Sequence, residues 1–199
     1  MSISSNQKDE SKQSSSIPSA CRPWEQQSPC LILIGMAGAG KTTIAKALSQ
    51  AMSWPHADTD ALMEAWFGVR LEEVRNRLGV KQFLKAEEDC ILRLKLSRCI
   101  VSTGGSVIYS PKAMHKLQEL GLIINLQAEY HTIAERINRF PDRGIAMAPG
   151  QTLEDLYWER YPIYEKYADL TVQTDKHNPQ KCAQLIQELM HEKEQKFGK

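Results

Sequence analysis

Residues 30–52 pass from an unbroken apolar run, Cys30-Leu31-Ile32-Leu33-Ile34, through Gly35-Met36-Ala37-Gly38-Ala39-Gly40-Lys41-Thr42, into a segment of helical apolar spacing from Thr43 to Met52. The first piece reads as a buried parallel strand and the last as a helix. The middle piece has the pattern G-x-x-x-x-G-K-[ST]. Its glycines let backbone N–H groups turn inward around phosphate oxygens, Lys41 adds positive charge, and the Thr42 hydroxyl is a ligand for Mg²⁺. Strand, loop and helix stand in the order such a cradle requires. The sequence therefore predicts a site for a nucleoside triphosphate.

A chain of 199 residues suffices for one ordinary domain with its own core. Its formal net charge of +1, with basic and acidic residues interspersed, argues against nucleic acid or an anionic membrane as the main partner and favours a small molecule. The five cysteines are odd in number, lack C-x-x-C spacing and fall mostly in apolar segments. Neither a disulfide framework nor a zinc site follows, and the thiols read as reduced ones of a cytoplasmic protein. Seven serines lie among the first sixteen residues, so residues 1–28 read as a disordered tail and residues 29–199 as the domain. Asp9 and Glu10 fit poorly with a transit peptide, and no stretch has the length of a membrane span. The spacing of residues leaves the oligomeric state open, with a monomer as the simplest expectation.

Further along, Trp54 to Asp58 predicts a second strand ending in Asp58-Thr59-Asp60, followed by helical pieces at 61–67 and 71–77 and a long amphipathic helix from Val80 to Arg98. Ile100 to Thr103 is a third strand that stops at Gly104-Gly105-Ser106. Pro111 to Leu120 is a helix closed by Gly121, and Leu122 to Leu126 a fourth strand. A helix at 130–139 leads to a lid-like stretch at about 139–151 that contains Phe140-Pro141-Asp142-Arg143-Gly144. A helix from Leu153 to about Tyr167, a strand at 170–172 and a closing helix from Pro179 to about Lys196 complete the chain. Such alternation implies a parallel sheet with helices on both faces, its ligands beyond the carboxyl ends of the strands.

Four later segments, in order, resemble the shikimate kinase family: Asp58-Thr59-Asp60 with Leu62-Met63-Glu64; Phe83 to Glu87; Ser102-Thr103-Gly104-Gly105; and Arg160 to Glu165 through Ala168-Asp169. The resemblance covers Leu31 to Val172. It implies an α/β P-loop kinase fold, a five-stranded parallel sheet flanked by helices with a lid. Gly38, Ala39, Gly40, Lys41, Thr42 and Thr43 carry over as contacts to ATP, and Thr42 as a ligand of Mg²⁺, with Asp58 holding the metal through water. Asp60 matches the aspartate that binds the acceptor hydroxyl and draws off its proton. Arg143, or alternatively Arg139, stands where the family closes an arginine over the transferring phosphates. Lys41, Asp60 and Arg143 are then the expected catalytic residues, and Gly104, Gly105 and Arg160 line the acceptor site.

The chain departs from the family in that acceptor site. The arginine of the family's Phe-Arg pair is Leu84 here and its triple glycine ends in Ser106, while away from that site, in the lid-like stretch, Arg143-Gly144-Ile145 stands where the family shows Arg-Pro-Leu. Loss of one charge-assisted pair to a carboxylate costs a few kcal/mol if nothing compensates. Lys85 points about 100° away around the helix. These changes predict a smaller acceptor, a hydroxy acid or hydroxy amino acid held by one arginine, with Ser106 offering a hydrogen bond; homoserine is the expected substrate. Shikimate phosphorylation is the alternative, and a non-catalytic nucleotide-binding protein the third reading.

Overall fold

The computed structural model describes residues 29–139, 145–148 and 150–197. The serine-rich segment and, within the expected lid, residues 140–144, Arg143 among them, and 149 lie outside the described residues. Five strands, β1 (Cys30–Ile34), β2 (His56–Asp58), β3 (Ile100–Ser102), β4 (Gly121–Gln127) and β5 (Leu170–Gln173), form one sheet in the order β2-β3-β1-β4-β5. Every pairing is parallel; Leu31 stands beside Ile100 on one side and Leu122 on the other. The helices are α1 (Lys41–Met52), α2 (Thr59–Phe67), α3 (Leu71–Leu92), α4 (Pro111–Leu120), α5 (Tyr130–Asn138), α6 (Leu153–Tyr167) and α7 (Pro179–Phe197).

β1 is buried along its whole length because helices cover both faces of the sheet, which is why its residues are aliphatic without alternation. With β3 and β4 on either side, it brings the loops that follow Ile34, Asp58 and Ser102 to one end of the sheet. A second, smaller core of Met63, Val74, Phe83 and Cys90 locks α2 onto α3. Each such fully buried apolar side chain contributes about 1.5–3 kcal/mol, so this two-helix wall is a packed unit beside the crevice rather than a loose flap.

The differences from expectation have local causes. α2 starts at Thr59, two residues early, because the Asp58 carboxylate caps it by accepting from the amides of Asp60 and Ala61. The segments expected at 71–77 and from Val80 join as α3, kinked at Gly79 (φ 71°), and α3 ends at Leu92 instead of Arg98. The apolar period runs on through Leu94, yet the chain must turn to enter β3, and Arg98 takes a left-handed φ of 50° to do so. A short 3₁₀ turn at Val107–Tyr109 was not visible in the periodicity. No helix among the described residues is long and apolar enough to cross a membrane.

Candidate active site

A cleft of about 690 Å³ opens at the carboxyl end of the sheet. The glycine loop forms one end. Gly40 occupies the cap position of α1 with a left-handed φ of 96°, a conformation that side chains disfavour, and no side chain caps the helix. The first-turn amides are thereby left open for an anion. Gly38, Gly40, Lys41, Thr42 and Thr43 all line the cleft, whereas Ala39 is buried beneath the loop at 1% exposure. The Lys41 ammonium folds back on its own loop, donating to the carbonyls of Gly35 at 2.7 Å and Met36 at 2.8 Å.

Both aspartates after β2 line the cleft. Asp58 Oδ2 accepts from Thr42 Oγ1 and from Ser102 Oγ, each at 2.8 Å, while Oδ1 caps α2. Burial opposes the charge on Asp58, but these donors outweigh it and hold the carboxyl below its ordinary value. Asp60, in the first turn of α2, stands beyond the cap. A Cβ added to Gly104 would lie 2.9 Å from Asp60 Oδ1 and 2.1 Å from Glu87 Oε1, so only glycine admits both carboxylates at this point.

The far end of the cleft is built by α3, α6 and the segment after β3. Glu87 is 6% exposed and accepts a short hydrogen bond from Ser106 Oγ. Burial, with Asp60 adding like charge, pushes its carboxyl up to about 7 against the pull of Ser106, Arg160 and Lys41. Arg160 is 1% exposed. Its Nε donates to the Tyr109 hydroxyl at 3.1 Å and its Nη2 to the Ala146 carbonyl at 2.9 Å, while Nη1 faces Gly105. Tyr164 fixes that glycine by donating to its carbonyl at 2.6 Å. None of these contacts to Arg160 is a carboxylate, so among the described residues the guanidinium has neutral hydrogen-bond partners alone.

Ile145 and Ala146 close over the cleft, held from opposite walls: Arg75 of α3 donates to the Ile145 carbonyl and Arg160 of α6 to that of Ala146. Arg139 is exposed at the end of α5, paired with Glu135, and is not among the lining residues. Leu84 is half-buried and also absent from the lining, one step around the helix from Phe83, which does line the cleft. Lys85 turns to solvent and pairs with Glu88 at 2.6 Å and Asp89 at 3.0 Å.

A family model described as Shikimate kinase matches residues 37–191. The chain belongs to the shikimate kinase family. It is 34% identical over 163 residues to the shikimate kinase of Actinobacillus pleuropneumoniae, with 80% of this chain and 94% of that one covered. With the shikimate kinase of Thermodesulfovibrio yellowstonii the identity is 30% over 159 residues, covering 78% and 91%. Among solved structures, shikimate kinase from Acinetobacter baumannii in complex with shikimate superposes with a TM-score of 0.77 at 25% identity, covering 83% of this chain and 94% of that one.

As a shikimate kinase family member the chain is an ATP-dependent phosphotransferase that acts on an alcohol of a small molecule, with ATP and Mg²⁺ as cofactors. The oxygens of Thr42 and Asp58, 2.8 Å apart, suit this cation, which takes few protein ligands and several from phosphate and water. Homoserine, the acceptor expected from Leu84 and Ser106, finds no support among the relatives, which favour the shikimate alternative. The structure supplies a physical reason: the Ser106 hydroxyl expected to meet a small substrate is engaged by Glu87. Glu87 was not singled out from the sequence as a site residue. Its signal was an acid at the position four after Phe83, on the apolar face of an amphipathic helix.

Proposed function

We propose that this kinase transfers the γ-phosphoryl group of ATP to a hydroxyl of shikimate. The observation that carries the reading is Arg160, a guanidinium buried at the end of the cleft whose hydrogen-bond partners among the described residues, the Tyr109 and Tyr164 hydroxyls and the Ala146 carbonyl, are all neutral. A buried charge of this kind is expensive unless an ion meets it. A substrate carboxylate supplies that ion where the guanidinium lines the cleft.

The remaining roles follow from position. Amides of residues 38–43 and the Lys41 ammonium grip the phosphates, with Lys41 leaving the Gly35 and Met36 carbonyls as nucleotide enters. Thr42 directly and Asp58 through water would hold Mg²⁺, which would supply positive charge to the phosphate oxygens. Asp60 orients the acceptor hydroxyl and takes its proton, while the backbone of Gly104 and Gly105 bounds the ring. The packed α2–α3 wall and the Ile145–Ala146 strap exclude water from the transfer.

An ADP-release assay over a panel of small alcohols tests the reading. Shikimate should stimulate ADP formation strongly and homoserine should not. Stimulation by homoserine with shikimate inert would refute it, and ATP binding without stimulation by any acceptor would make the chain a binding protein.

A further inference from the structure

Glu87 is a buried acid in the acceptor end of the cleft that the transfer chemistry above does not use. Its Oε2 is fixed by Ser106, and its Oε1 lies on the Gly104 side, where Asp60 also comes close. The groups that face it come from several elements: Asp60 of α2 opposes its charge, Arg160 of α6 and Lys41 of α1 favour it, and Cys90 of its own helix and Tyr164 of α6 lie within electrostatic reach. The side chain at position 84, where the family places an arginine, is an uncharged leucine. Glu87 therefore depends on Arg160 for much of the positive potential that permits it to ionise.

That dependence conflicts with the bound state. A carboxylate docked on Arg160 cancels the guanidinium's field at Glu87 and adds a second negative charge near a carboxyl that is itself buried. We propose that Glu87 is a specificity-determining residue that must be a neutral carboxylic acid for an anionic acceptor to bind, so that docking takes up one proton at Glu87. The proton comes from solvent and goes to Oε1, where it also relieves repulsion with Asp60; it returns to solvent when the product leaves, and no bond of the acceptor changes. Burial already raises the Glu87 carboxyl to about 7 in the free protein, so uptake falls in the neutral range. The inference rests on the carboxylate-acceptor reading given above.

The test is calorimetric titration of shikimate into the full chain without nucleotide, in buffers of different ionisation enthalpy. Between about pH 6 and about pH 8 the dissociation constant should rise about tenfold, with nearly one proton taken up per acceptor at the upper end. Glu87→Gln should bind with a constant flat over this range and no uptake. If that variant does not fold, Ser106→Ala, which removes a donor that favours the ionised form, should move the weakening to higher pH. A flat wild-type profile, or the same pH dependence in Glu87→Gln, overturns the inference. Should shikimate bind at no pH, the acceptor reading falls instead, and infrared difference spectra decide Glu87 separately. A protonated-carboxyl band lost through the neutral range in the wild type and absent from Glu87→Gln supports the assignment; a wild type lacking that band overturns it.

Discussion

Replacing Glu87 by glutamine should make the empty protein's stability less sensitive to pH, by an amount that the site's electrostatics set. The folded carboxyl sits at about 7 against an ordinary value of 4.5. In that interval the folded chain holds a proton that the unfolded chain has released, so wild-type stability falls as pH rises and levels off above about 7. Between about pH 5 and about pH 8, at about 1.36 kcal/mol per pH unit of displacement, Glu87 contributes a loss of about 2.5 kcal/mol. Glutamine keeps the shape and an acceptor for Ser106 but cannot ionise. Urea unfolding followed by tryptophan fluorescence at the two pH values, for both proteins, gives the difference of differences. His56, whose ring burial lowers its basicity, cancels in that comparison. Asp58, held below its ordinary value, loses its contribution only as pH falls through the acid range outside this window. A difference of differences below about 0.5 kcal/mol, with both variants unfolding in two states, would refute the account of Glu87.

Other outcomes follow from the same geometry. Lys41→Met should lower turnover by two or more orders of magnitude in a steady-state assay, because the phosphates lose their mobile cation. Asp60→Asn should lose comparable turnover while equilibrium ATP binding is unchanged; undiminished turnover would remove Asp60 from proton transfer. Gly104→Ala places a Cβ 2.1 Å from Glu87 Oε1 and should cost about 1–3 kcal/mol in urea unfolding and raise the acceptor KM. Arg160→Lys removes the fork that reaches Tyr109, Ala146 and the substrate together, and should raise the acceptor KM at least about tenfold with little change in the KM for ATP.

Much of this site was legible because its residues are demanded by local chemistry. The aliphatic run at Cys30–Ile34 can only be a strand buried on both faces, and the glycine loop after it has few other uses. α6 appeared with its observed bounds, since Thr152 and Asp155 form a reciprocal cap at its start. What stayed hidden depends on contacts distant in sequence. Nothing in the neighbours of Glu87 says that Ser106, nineteen positions on, will approach it, or that the two will satisfy each other. Arg160 was expected in the acceptor site from the resemblance alone, with nothing in its neighbours to announce its burial; in the fold Glu159 turns to Tyr109 and Gln151, and the arginine goes inside. Arg75, unremarked in the sequence, reaches across to the Ile145 carbonyl, seventy positions away.

Asp58 has two attachments that pull in different directions. One oxygen steadies the first turn of α2, the turn that bears Asp60, and the other rests on the Thr42 hydroxyl at the root of the glycine loop. A capping contact of this kind is worth about 0.5–2 kcal/mol to its helix. Any change at this carboxylate therefore reaches the turn that bears Asp60 and the root of the glycine loop together, so that one side chain works as a hinge pin between the two walls of the cleft.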